Sequence, residues 1–275
     1  MFDHAHEVIL ADTEASRAIH RKVRYHVYCL ERGFENPSEF PFGEEYDRWD
    51  VHAAQFIVRQ RASGKWVAAM RIILPHAATF PLETLQCLEP THKNRLRRRE
   101  LGEISRVCVV RSPDPHAINR HLSRHFGSVN NDGESEVLLG LIRALILYGL
   151  EQGIEHCYML ITGAFARLLR RLGVVLRQVG IAIEHRGWRI PYLMGLRDSA
   201  ASMSGRSALV RDLFARKALA YQPFSALDDD TDAIFETLPP LPHASIGPSR
   251  SSPGIWRRHA ERTTRPGPGV WLSAS

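Results

Sequence analysis

Three acids stand close together in the run Glu45-Tyr46-Asp47-Arg48-Trp49-Asp50, an E-x-D-x-x-D spacing with an aromatic between them. Carboxylates this close repel one another, so they can be buried only against cations. A calcium loop does not fit, because it needs D-x-D-x-D-G and a bidentate acid at its twelfth position, and those ligands are missing. Two readings stand: a solvated acidic turn, or an internal ion cluster. Arg24, Arg71 and Arg106 each sit among apolar neighbours. An arginine within a strand must reach solvent or find a carboxylate fork, and clustering these three with Asp47 and Asp50 satisfies acids and bases together.

Other reactive types carry less. His116, His121 and His125 lack a thiolate or acid at ligand spacing, so no metal site is expected. Cys29, Cys87, Cys108 and Cys157 form no C-x-x-C pair, which leaves neither a zinc ribbon nor a dithiol motif. Cys108 has no evident partner base and reads as a buried thiol.

The elements that must position these residues follow from periodicity. Ile19, Val23, Val27 and Leu30 predict an amphipathic helix over 13–31, capped by Thr13 and followed by Gly33; Arg24 and Tyr28 lie one turn apart on it. Residues 34–50, with two prolines and a glycine, read as a long functional loop. Ala53–Gln60 and Lys65–Leu74 predict a hairpin. Residues 102–110, GEISRVCVV, predict a central strand with Glu103, Ser105 and Val107 on one side and Ile104, Arg106 and Cys108 on the other. A helix over 135–153, a strand over 154–161, a helix over 165–172, two strands within 174–196 and a basic helix over 207–221 complete the order. This order predicts an α/β chain with a mixed twisted sheet flanked by helices, and it resembles the arrangement of the GCN5-related N-acetyltransferases (GNAT), which implies two neighbouring parallel strands that splay apart around the acyl-donor arm.

The chain has 275 residues, 44% hydrophobic and 24% charged, which excludes fibrous and wholly disordered classes. The domain is placed at 1–222. Eight of the sixteen prolines fall in 223–275, so a Pro/Ser/Gly-rich tail without packed structure is expected there. Leu138–Leu150 is broken by Arg143 and is too short to span a bilayer, and nothing at the start marks secretion, so a cytoplasmic location is expected. The net charge of +6 favours an acidic partner. A basic nucleic-acid-binding module is the non-enzyme alternative, but the basic region has no interleaved aromatics and no recognised binding signature, so no nucleic-acid partner is expected.

Arg24, Tyr28, the Glu45, Asp47 and Asp50 run, Arg71 in MRIILP, the Phe80–Leu82 FPL segment and Glu103-x-Ser105-Arg106 follow the order and spacing of acyl-homoserine-lactone autoinducer synthases of the LuxI type over residues 17–110. Over 17–200, with GIEHCYMLI, FARLLRRLG and GIAIEHRGWRIPYLMGL, the chain resembles more closely the long-chain N-acyl amino acid synthases of the FeeM type, and especially the PEP-CTERM/exosortase system-associated acyltransferases. Phe34 departs from the autoinducer synthases, which usually carry tryptophan there.

The resemblance implies transfer of a long-chain acyl group from the phosphopantetheine thioester of acyl carrier protein to a small-molecule amine; an acyl-homoserine-lactone synthase is the alternative. No permanently bound cofactor is implied. Amide formation requires a base for the ammonium, a site for the oxyanion and release of a thiolate. Glu103 is the first candidate base and Glu45 the second, although pairing of Glu103 with Arg71 or Arg106 is the competing structural role; Ser105 joins the catalytic set. If the strand bulges, the backbone N–H groups of Val107 and Cys108 serve the oxyanion. The loop after this strand, RSPDPHAINRH, lacks the Q/R-x-x-G-x-G/A pattern that holds a coenzyme A pyrophosphate. Residues 91–125 carry nine basic residues against three acids. Arg95, Arg97, Arg98, Arg99 and Arg111 are therefore the expected docking cations for acyl carrier protein, with a merely solvated basic face as the alternative.

Overall fold

A computed structural model of the chain describes residues 2–89, 96–111 and 131–227. A short helix α1 (Phe2–Ala5) leads into strand β1 (His6–Leu10), which sequence periodicity does not reveal. Helix α2 (Glu14–Tyr25) begins where expected: Thr13 Oγ1 accepts from Ser16 N at 3.2 Å while Ser16 Oγ accepts from Thr13 N at 3.0 Å, a reciprocal cap. It continues as one wide π-helical stretch, His26–Glu31, and Phe34 and Glu35 then hang their amides on Tyr28 O. The loop that follows carries only short 3-10 turns at Pro37–Glu39 and Asp50–His52.

The predicted hairpin is β2 (Ala53–Gln60) with β3 (Trp66–Ile73), and it leads through a short helix α3 (Pro81–Thr84) to β4 (Leu101–Val109). Helix α4 (Asn131–Glu151) ends before Gly153, whose φ of +74° suits glycine. Then come β5 (His156–Ile161), α5 (Gly163–Arg171), β6 (Leu176–Gln178), β7 (Ile183–Glu184), β8 (Trp188–Gly195), α6 (Leu196–Arg206), α7 (Ala208–Ala215) and β9 (Gln222–Pro223). The single basic helix expected over 207–221 is therefore corrected. Helix α6 precedes it, and Ser207, extended at φ −151°, separates α6 from the shorter α7. Helix α6 was hidden because its apolar positions are few and several small polar residues interrupt them.

Among the described residues the strands form one mixed sheet in the order β6-β8-β5-β4-β3-β2-β1-β9, with β7 paired to β8. Only β4–β5 and β1–β9 are parallel. Gln222 and Pro223 pair with β1 and Phe224 is buried, so described packing runs slightly past residue 222; residues 228–275 lie outside the described residues. Helices α4, α6 and α7 cover one face around Met70, Ile72, Ile104, Leu141, Leu145 and Met159. Arg143, the charge inside the apolar α4 run, is fully buried and held by Asp3 at 2.8 Å, which ties the N-terminal turn to this core. Helix α2 covers the other face through Ile19 and Val23 against Ile57, Ala69 and Cys108.

Two irregularities shape the centre of the sheet. The β4–β5 pairing runs from Leu101↔His156 to Ile104↔Met159 and stops, so the strands part beyond Ile104. On the other edge, Ala69↔Cys108 and Arg71↔Ser105 set Arg106 and Val107 against Met70 alone, a bulge in which Arg106 adopts φ +53°. The bulge shifts the side-chain phase. Ile104 and Val107 both face the α4 core, while Cys108 faces α2, so the strict alternation expected along β4 is corrected after Ser105.

Candidate active site

The three acids and three arginines meet. Arg24, at the end of α2 and fully buried, donates Nε to Glu45 Oε2 at 2.5 Å and Nη1 to Asp50 Oδ1 at 2.6 Å. Arg71, on β3, grips Asp47 with Nη1 at 2.6 Å and Nη2 at 2.7 Å, shares Asp50 Oδ1 at 2.6 Å, and donates Nε to Ser105 Oγ at 2.9 Å. Arg106, turned by the bulge, reaches Glu45 Oε1 at 2.9 Å and Asp47 Oδ2 at 3.1 Å. Three positive and three negative charges balance. Burial alone raises the pKa of Glu45, Asp47 and Asp50, but the surrounding guanidinium groups outweigh it and hold all three below the usual carboxylate range. Glu45 is thus fixed as an anion between Arg24 and Arg106, a poor situation for a proton acceptor.

Glu103 differs. It lies at the end of the paired part of β4, is 3% exposed, and accepts Leu82 N at 2.9 Å; among the described residues it forms no ion pair. Burial pushes its pKa up to about 8, against the Leu82 N–H and the more distant Arg71, which favour the anion. A carboxyl in this state is matched to proton transfer near neutrality. Leu82 is placed by a latch. Arg98 stacks 3.6 Å from the Phe80 ring, pairs with Glu83 at 2.9 Å and donates to Pro75 O at 3.2 Å and Ala77 O at 2.6 Å, while Glu83 also accepts Phe80 N at 2.8 Å.

Glu103, Ser105, Arg106, Val107 and Cys108 line one cavity of about 860 Å3, with Arg71, Leu82, Tyr28 and Phe34 on its wall. Ile104, Val107, Leu138, Met159 and Phe165 border this cavity and also a small apolar pocket deeper in the α4 core, so apolar lining continues inward from the strand gap. Tyr28 Oη donates to Val107 O at 3.0 Å, fixing the bulge from the α2 side. Cys108 is buried and its pKa is pushed up to about 12 by burial, so the thiol stays protonated. Among the described residues no cluster of metal-ligating side chains exists; His116, His121 and His125 lie outside them. No helix among the described residues is long and apolar enough to cross a membrane.

The docking candidates separate. Arg97 and Arg99 are 70% and 75% exposed, and among the described residues the acid they approach is Glu100. Arg98 is committed to the latch, and Arg111 to Glu134 at 2.6 Å. Arg95 lies outside the described residues. Sequence reasoning missed the latch and the hairpin residues His185, Arg186 and Arg189, which also line the cavity. Only the Arg-Gly pair in HRGWR marks that turn in the sequence.

Residues 23–113 match the family model described as the acetyltransferase (GNAT) domain. No curated protein sequence matches the chain. Among solved structures, the chain is similar to the CoA-dependent acyl-homoserine lactone synthase BjaI, at 16% identity and TM-score 0.56 over 84% of this chain and 98% of that one. It is similar to the AHL synthase LasI at 16% identity and TM-score 0.53, over 73% and 95% of the two chains. FeeM, an N-acyl amino acid synthase from uncultured soil microbes, superposes at 15% identity and TM-score 0.49 over 72% and 93%. The fold expected from the order of elements is the one found: a mixed α/β fold of the GNAT type.

Proposed function

We propose that the protein is an N-acyltransferase that moves a long-chain acyl group from the phosphopantetheine thioester of acyl carrier protein to the amino group of an amino acid or similar amine. The observation that carries this reading is Glu103: a buried carboxyl with a raised pKa, without a counter-ion among the described residues, where two parallel strands part beside a cavity that leads into an apolar core. Residues shared with the PEP-CTERM/exosortase system-associated acyltransferases support that group as the finer assignment.

In this reading the acyl chain occupies the apolar space beside Ile104, Leu138, Met159 and Phe165. The thioester carbonyl faces the N–H groups of Val107 and Cys108 at the bulge. Glu103, directly or through one water, takes a proton from the acceptor ammonium; the amine attacks the carbonyl carbon, the oxyanion forms and collapses, and the pantetheine thiolate leaves. Ser105 Oγ accepts from Arg71 and passes its proton to the departing sulfur while taking the second proton of the attacking nitrogen, so a neutral amide and a free thiol result. The ion cluster is the rigid support, since it locks the 45–50 loop, β3 and the bulge of β4 into one unit. Exposed Arg97 and Arg99 suit an acidic carrier protein.

The test is incubation of the purified protein with long-chain acyl carrier protein or acyl-CoA, a mixture of amino acids and S-adenosylmethionine, read by mass spectrometry. N-acyl amino acids formed from the carrier-protein donor support the reading. Acyl-homoserine lactone formed from S-adenosylmethionine, or no acylated amine with either donor, overturns it.

A further inference from the structure

The cavity wall carries several arginines, and nearly all have their charge answered. Arg71 and Arg106 belong to the ion cluster, Arg111 pairs with Glu134, and Arg186 pairs with Glu35. Arg32 is exposed. Arg189 is different: it is half-buried, and among the described residues no carboxylate lies within ion-pair distance. Its Nε donates to His185 O at 2.8 Å and its Nη2 to Arg186 O at 3.1 Å. These carbonyls orient the guanidinium without neutralising it, and three of its five N–H donors remain.

The turn that supplies those carbonyls is costly to form. Arg186 sits at φ +53° and Gly187 at φ +91°, and a left-handed arginine costs roughly 1 kcal/mol. The Arg186–Glu35 pair ties this turn to the loop after α2, and Phe34's ring centroid lies 5.9 Å from Arg189. Burial, with Arg186 as a like-charged neighbour, lowers the pKa of Arg189; the charge of an anion bound there offsets both effects.

We infer that Arg189 is the specificity residue for the acceptor, binding its free carboxylate through two guanidinium N–H groups, so that the acceptor class is amino acids rather than neutral amines, amides or esters. This rests on the transferase reading above. The same donors suit the phosphodiester of a pantetheine arm, which carries one negative charge as a carboxylate does, so the donor KM is what separates the two sources. Arg189 and Glu39 line the same cavity, so a cation and an acid are both available to a zwitterion.

The experiment offers wild type and Arg189→Gln an equimolar mixture of amino acids and the same amino acids as carboxamides, with long-chain acyl carrier protein as donor, and reads products by mass spectrometry. Wild type should favour the carboxylate form by about 100-fold, because the carboxamide leaves the half-buried cation unanswered. Arg189→Gln should bring that ratio to about 1, with the donor KM unchanged, and Arg189→Lys should restore part of it. Equal use of both forms by wild type, or an unchanged ratio in Arg189→Gln, overturns the inference; a raised donor KM with an unchanged ratio assigns the cation to phosphate instead. Thermal shift with free amino acids against carboxamides reads the site without turnover. Carboxylate-specific stabilisation lost in Arg189→Gln upholds the site even if no amine is acylated, which would then overturn only the transferase reading; no such difference counts against the site.

Discussion

Leu82 N donates to Glu103 Oε2 at 2.9 Å, and through this bond the segment after β3 holds the one buried acid that faces the strand gap without a counter-ion among the described residues. The bond favours the anion, yet burial wins and the pKa rises. Stability must therefore depend on pH. Between the ordinary value of 4.5 and about 8 the unfolded chain has lost this proton and the folded chain has kept it. Folding stability from this group falls as pH rises across that window, by about 1.4 kcal/mol per pH unit. Denaturant titrations at several pH values should show that slope in wild type and its loss in Glu103→Gln, which gains relative stability in alkali; parallel curves would place the acid in a hydrated environment.

The ion cluster works in the opposite direction. Its carboxylates have lowered pKa values, so their contribution is full above the ordinary carboxylate range and disappears as pH falls below it. Arg24→Met leaves Glu45 buried with only Arg106, and should cost about 3–5 kcal/mol at neutral pH. Urea unfolding checks this. A cost under about 1 kcal/mol would mean that the loop relaxes and hydrates Glu45.

Neighbouring arginines with similar sequence context should behave differently. Arg97→Glu with Arg99→Glu should leave thermal stability unchanged and raise the KM for acyl carrier protein several-fold, with salt weakening the wild-type enzyme in the same way. Arg98→Ala should instead destabilise the fold by about 1–3 kcal/mol, because it leaves Glu83 and two carbonyls without their donor. Differential scanning calorimetry with a donor titration separates the two effects. Equal behaviour of the three positions would contradict the latch.

Acyl length should respond to the inner wall. Met159→Trp adds bulk where the cavity meets the apolar pocket, and should lower kcat/KM for long acyl donors by tenfold or more while sparing short ones. A uniform loss across donor lengths would show that the chain lies elsewhere.

Much of this was legible in the sequence because local chemistry dictated it. Thr13 and the spacing of Ile19 and Val23 announce α2, and Arg24, Arg71 and Arg106 could be buried only with the Glu45–Asp50 acids. Strand β1 was not legible: five residues between a turn and a helix show no period that outweighs their neighbours, and their pairing with β2 is long-range. The phase of β4 after Ser105 was lost for another reason. Alternation presumes a regular ladder, and the bulge is set by Tyr28, Glu45 and Asp47 reaching Val107 and Arg106 from distant segments. Arg98 and Arg111 read as surface charge because their partners, Glu83 and Glu134, are named only by the fold.

The most direct test of the central claim is the pH dependence of amide formation at subsaturating acceptor, measured for wild type and Glu103→Gln. General-base catalysis by Glu103 predicts that wild-type kcat/KM rises with pH through an apparent pKa near 8 and levels off above it, and that Glu103→Gln folds normally but loses at least about 100-fold, with that titration gone. A variant that turns over like wild type, or that keeps the same pH profile, would remove Glu103 from the chemistry.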